Sequence, residues 1–170
     1  GNELWTKQFG SNKWDTADLV ATDASGNVYV AGDTKGTLPG QVNLGRNDAF
    51  IRKYDSNGKE IWTKQFGTND FDSAFSVTTD LSGNVYVTGD TDGTLLGQTR
   101  LGENDAFVRK YDSNGKEIWT KQLGTSGNDG ANSVAVDLSS NIYVSGFTVG
   151  ALPGQVNLGG VDAFLYKFAP

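Results

Sequence analysis

The chain of 170 residues contains no cysteine, no histidine and no methionine, and only three prolines. Without cysteine there is no disulfide framework, no thiolate metal site and no thiol nucleophile. Without histidine the commonest general base and metal ligand is missing as well. Positive charge is scarce: 14 Lys and Arg stand against 20 Asp and Glu, a net charge of −6. That balance argues against nucleic acid or an anionic membrane as a partner. No apolar run approaches the roughly 20 residues of a membrane-spanning helix. No leader peptide is visible, but a chain that starts at Gly1 and lacks Met reads as trimmed, so this absence excludes nothing. No cofactor is expected.

What is present is repetition. "ELWTKQFG" at Glu3 returns as "EIWTKQFG" at Glu60 and "EIWTKQLG" at Glu117, so that Trp5, Trp62 and Trp119 are 57 residues apart. The whole chain aligns at that period without a gap, as modules 3–59, 60–116 and 117–170 of a single domain. The first two modules are identical at 41 of 57 positions, a level that suggests recent duplication or design. The modules are therefore near copies in structure.

Each module carries short β patterns separated by turn chemistry, and none has helical periodicity. In the first module the strands are predicted at Leu4–Phe9, Ala17–Thr22, Val28–Ala31 and Ala49–Tyr54. "DASGN" (Asp23–Asn27) and "DSNGK" (Asp55–Lys59) are tight turns whose Asn and Gly tolerate positive φ. Longer loops start at Gly10 and span Asp33–Asn47. Strand, turn, strand, loop, repeated three times, is the sequence form of a β-propeller blade.

The strings "D-x-S-G-N-V-Y-V-x-G", "D-A-F" and "D-x-x-G-x-x-W" resemble the marks of the SBBP-type β-propeller repeat. The first reads Asp23–Gly32, Asp80–Gly89 and Asp137–Gly146, with Ser140 replacing the expected glycine in the third. The second reads Asp48–Phe50, Asp105–Phe107 and Asp162–Phe164. The resemblance implies an all-β fold of four-stranded antiparallel blades with A innermost and D outermost, and it assigns no activity. In that scheme Ala17–Thr22 is A, Val28–Ala31 is B, Ala49–Tyr54 is C, and the next "EIWTKQFG" is D.

The chain then reads D, ABC, D, ABC, D, ABC. Its last C strand has an open edge, which invites pairing. Three blades subtend too little of a circle to close, since propellers carry about four to eight. The simplest closure is a homodimer: two chains form a six-bladed ring, each N-terminal D strand completing the other chain's final blade. The closure residues are then Leu4, Trp5, Thr6, Lys7 and Phe9 against Phe164, Leu165, Tyr166 and Phe168. The alternative is that the chain is a slice of a longer propeller, or that it associates in another number.

Candidate chemistry is sparse. The "DSNGK" and "DASGN" aspartates lack calcium-loop spacing and are explained by turns. "DTDG" (Asp90–Gly93) and "NDFD" (Asn69–Asp72) offer closer oxygen ligands, but only the second module has both, so a metal is left unassigned. Trp5, Trp62 and Trp119 with Phe50, Phe107 and Phe164 read as blade-to-blade core.

Substitutions between modules concentrate in the D–A and B–C loops, which share one face of a propeller. The candidate ligand residues there are Trp14, Asp15, Lys35, Arg46, Phe71, Asp72, Asp92, Asn128 and Asp129. An aromatic beside a carboxylate can stack on a sugar face while the acid takes its hydroxyls. A loop side chain folded back on its own blade explains Trp14 equally, and neutral drift explains the variation. The reading is a non-catalytic scaffold or binding module; its location is left open, with extracellular or cell-surface favoured. A carbohydrate- or protein-recognition module, multivalent through its repeats, is the alternative. Near-identical modules supply no asymmetric catalytic constellation, so no enzyme is expected.

Overall fold

The computed structural model describes residues 1–170 and contains eleven strands and no helix. Blade one is a sheet in the order β1 (Asp15–Thr22), β2 (Val28–Thr34), β3 (Asp48–Tyr54), β4 (Glu60–Phe66). Blade two repeats it with β5 (Asp72–Thr79), β6 (Val85–Thr91), β7 (Asp105–Tyr111) and β8 (Glu117–Leu123). Blade three has only β9 (Asp129–Val136), β10 (Ile142–Thr148) and β11 (Asp162–Phe168), so β11 is an edge. All neighbouring strands are antiparallel.

The expected strand at Leu4–Phe9 is a correction: residues 1–10 form no ladder with any strand. The local sequence is strand-like, but a strand needs a hydrogen-bonding neighbour. Residues 4–9 have no such neighbour in this chain.

Each A strand carries a bulge that brings its backbone over β2, β6 or β10. At that crossing a Cβ on Gly32, Gly89 or Gly146 would collide with the carbonyl oxygen of Thr16, Ser73 or Gly130. The recurring glycine of "V-x-G" is thus set by close approach rather than by turn geometry.

The A–B turns are held by a repeated carboxylate. Asp80 accepts hydrogen bonds from the amides of Ser82 and Asn84 (both 2.9 Å), the Asn84 side chain (2.8 Å) and the Tyr86 hydroxyl (3.0 Å). Asp23 and Asp137 repeat the set. Gly26 and Gly83 take φ of 76° and 77° in these turns, and Ser140 is forced to 62°.

The core lies between blades. One cluster joins Tyr29, Ile51 and Phe66 of blade one to Val77, Val87 and Phe107 of blade two. A second joins Tyr86 and Val108 of blade two to Val134, Val144 and Phe164 of blade three. Trp62 bridges the first junction, 6.0 Å from Tyr29 and 6.3 Å from Tyr111. Each blade therefore depends on its neighbour to cover its face.

Candidate functional site

The loops that open each A strand converge on the loops between B and C at one end of the blades. Backbone bonds bring the predicted residues together in pairs. The Lys35 amide donates to the Trp14 carbonyl (2.9 Å), the Asp92 amide to that of Phe71 (2.9 Å), and the Val149 amide to that of Asn128 (3.1 Å). Every blade thus presents one two-residue patch with its own chemistry: aromatic and cationic, aromatic and anionic, then amide and aliphatic.

Three of the predicted residues do a different job. Asp72 accepts from the Thr68 amide (2.6 Å), the Thr68 hydroxyl (3.1 Å) and the Thr91 hydroxyl. Asp15 takes the Ser11 amide (2.8 Å) and hydroxyl (3.0 Å) with the Thr34 hydroxyl, and Asp129 takes the amide and hydroxyl of Thr125. Asp72 and Asp129 have no exposed surface, so their carboxylates fasten the loops to the blades. Burial raises Asp72 above its usual carboxylate range, against the opposing bonds from Thr91 and Thr68. Asp90 is pushed up to about 6, chiefly by burial, with the Asn104 amide opposing and the charges of Asp92, Asp72 and Asp33 adding. No group of three or more His, Cys, Asp or Glu side chains is arranged to hold a metal.

The remaining patch residues are exposed to different degrees. Phe71 lies under the Arg46 guanidinium, 5.6 Å from the ring, and Arg46 also reaches Asp70 at 4.0 Å. Trp14 is 68% exposed, and no aromatic or cationic group stacks on it. The Asn47 and Asn104 carbonyls bind the amides of Asp72 and Asp129, stapling each blade's B–C loop to the next blade's entry loop. Val161 stands at this position in blade three.

The predicted closure residues lie at the two ends of the arc. Residues 4–9 make the contacts to blade one that β4 makes to blade two. Trp5 Nε1 donates to the Ser56 carbonyl (3.2 Å), as Trp62 Nε1 does to that of Ser113 (3.2 Å). Phe9 lies 5.8 Å from Phe50 and 4.1 Å under Arg52. Phe66 lies 5.7 Å from Phe107 and 4.2 Å under Arg109. The segment thus lies against blade one as β4 lies against blade two.

At the other end, Phe164, Tyr166 and Phe168 pack against the second cluster inside the chain. Among the predicted closure residues of β11, Leu165 alone faces outward. It is 71% exposed, whereas Ile51 and Val108 at the same repeat position are 0% exposed. Val20, on the opposite end, is 69% exposed against 9% for Val77 and 6% for Val134. Sequence reasoning missed Val20, and it missed Gln8. Recurrence of Gln8 as Gln65 and Gln122 was the available signal.

The geometry agrees with comparison to known sequences. A family model described as a β-propeller repeat, SBBP, matches residues 4–39, 61–97 and 118–151, more than half of the chain. The chain is 32% identical over 165 residues to the regulatory protein FlaEY of Caulobacter vibrioides, covering 87% of this chain and 17% of that protein. It is 27% identical over 200 residues to an uncharacterized WD repeat-containing protein of Acanthamoeba polyphaga mimivirus, covering 95% of this chain and 14% of that one. The chain thus spans under a fifth of the length of these relatives.

Proposed function

The chain belongs to the SBBP β-propeller repeat family, and on that premise we propose that it is a non-catalytic scaffold that completes its ring by pairing with a second copy. One observation carries this reading. The exposed faces at the two ends of the arc are the two halves of a junction that is buried twice within the chain. Val20 corresponds to the buried Val77 and Val134, and Leu165 to the buried Ile51 and Val108. Residues 4–9 lie against blade one as β4 lies against blade two, and β11 has an open edge, which supports the pairing.

Transferring the internal register gives the pairing. Ala49 opposite Phe66 and Ile51 opposite Lys64 become Ala163 opposite Phe9 and Leu165 opposite Lys7 of the other copy. Two chains make six blades, within the range of about four to eight that propellers use, while three would make nine. Each chain contributes its segment to the other, so the closure is isologous and self-limiting. Light scattering or native mass spectrometry tests it: a two-chain mass is expected, and a monodisperse single-chain species refutes it.

A second reading is favoured by Trp14, whose large ring is left in water at 68% exposure beside Lys35. Unburied aromatics of this kind suit stacking on a sugar or a partner side chain. On this reading the scaffold displays its loop face as a recognition surface, repeated around the ring for avidity. A glycan array and partner capture with wild type and Trp14→Ala test it. Binding lost in the variant supports recognition, and identical profiles refute it.

A further inference from the structure

We propose that Gln8 is the residue that locks this closure, its side chain seated in a socket on blade three of a second copy. The inference rests on the two-chain reading and adds to it a named contact that sets the register.

The socket exists in filled form twice in the chain. In blade one, Gln65 Nε2 donates to the Gly36 carbonyl (2.8 Å) and to Asp48 Oδ2 (2.7 Å). Its Oε1 accepts from the Leu38 amide (3.0 Å), and its own backbone amide donates to Gln41 Oε1 (3.0 Å). In blade two, Gln122 makes the same four bonds to Gly93, Asp105, Leu95 and Gln98, at 2.8, 2.7, 3.1 and 3.1 Å. The four partners recur in blade three as Gly150, Asp162, Leu152 and Gln155. There they line an open cavity of about 410 Å³.

The third socket is already shaped. The Gln155 amide donates to the Leu152 carbonyl at 2.9 Å, as Gln41 does to Leu38 and Gln98 to Leu95. Asp162 Oδ2 holds the Leu158 amide at 2.7 Å, as Asp48 holds Leu44 and Asp105 holds Leu101. Gln155 is exposed where Gln41 and Gln98 are half-buried, since in the filled sockets their side chains grip the incoming strand. One period before Gln65 stands Gln8, exposed and on the unpaired segment.

The chemistry is selective for an amide. The socket offers a carbonyl and a carboxylate that need donors beside a backbone amide that needs an acceptor, and only a carboxamide answers all three at once. A slip of one residue would bring Lys7 or Phe9 to the socket, neither of which can. The contact therefore specifies the strand register as well as adding affinity.

The test is a dilution series by analytical ultracentrifugation on wild type, Gln8→Ala, Gln8→Glu and the double variant Gln8→Glu with Asp162→Asn. Wild type is expected to form a two-chain species. Both single variants should raise its half-dissociation concentration by about tenfold or more, with unchanged thermal unfolding of the dissociated chain, because Gln8 is exposed within one chain. Gln8→Glu places a carboxylate against Asp162, and Asp162→Asn, which replaces that charge with an amide donor, should recover at least part of the loss. A two-chain wild type with unshifted variants overturns the socket and leaves the closure standing. Weakening without recovery in the double variant overturns the direct contact to Asp162. A single-chain wild type overturns both.

Discussion

The same truncation placed at Ile51 and at Leu165 should do different things, although the two residues occupy one position of the repeat. Ile51 is fully buried in the junction between blades one and two. Its replacement by Ala removes core contacts inside the chain and should cost about 2–5 kcal/mol of folding stability. Leu165 keeps 71% of its surface in water, so Leu165→Ala should leave urea unfolding of the dissociated chain nearly unchanged. Its cost should appear in assembly instead. Full burial of a leucine is worth about 1.5–3 kcal/mol, so closing over the exposed part is worth roughly 2 kcal/mol at each seam. A two-chain ring has two seams, and roughly 4 kcal/mol corresponds to about a thousandfold rise in the dissociation constant. Urea denaturation and sedimentation at graded concentrations separate the two effects. If Leu165→Ala dissociates at the same concentration as wild type, or unfolds as early as Ile51→Ala, the equivalence of internal and terminal junctions is refuted.

Ser140→Gly should stabilise the chain by about 1 kcal/mol, because Ser140 occupies φ 62° where the other blades use glycine; an unchanged or lower melting temperature would contradict the strain. Asp90 titrates at about 6, above its unfolded value of 3.8, so the folded state holds the proton more tightly. Stability should therefore fall as pH rises from about 4 to 6. Asp90→Asn should flatten that slope, and a slope unaltered in the variant would place the titration elsewhere. Asp80 behaves in the opposite sense: burial alone would raise it, but the bonds from Asn84, Tyr86 and Ser82 hold it below its usual range. Its contribution is full above the unfolded value and is lost as pH falls through the lower folded one. Tyr86→Phe should cost about 1–2 kcal/mol at neutral pH and move the Asp80 carboxyl upward in an NMR titration; a carboxyl that does not move would mean the hydroxyl is not its partner. Gly89→Ala should destabilise by several kcal/mol, about the upper range for overpacking, because its Cβ meets the Ser73 carbonyl. A fully stable Gly89→Ala chain would show that the A-strand bulge can yield.

Much of the fold was legible because repetition multiplies weak signals. Each strand pattern is short, but three copies at a constant spacing leave few alternatives to stacked blades. The site was less legible. Asp15, Asp72 and Asp129 looked like ligand groups because their position at the mouth of a strand is shared by binding residues and by loop fasteners. Only the distances to Ser11, Thr68 and Thr125 separate the two roles. Gln8 was passed over for the reverse reason: a glutamine on a strand gives no sign of whether it faces water or a ring of backbone partners.

The sequence by itself determined the repeat count of this chain, the turn chemistry and the strand-like pattern of each module, since all of these are periodic and local. The tertiary structure decided which of those positions are buried between blades. Val20 and Val77 are the same residue in the same motif, and one is in water while the other is in the core. That difference depends on whether a neighbouring blade stands against it, a relation between distant segments that no local pattern encodes.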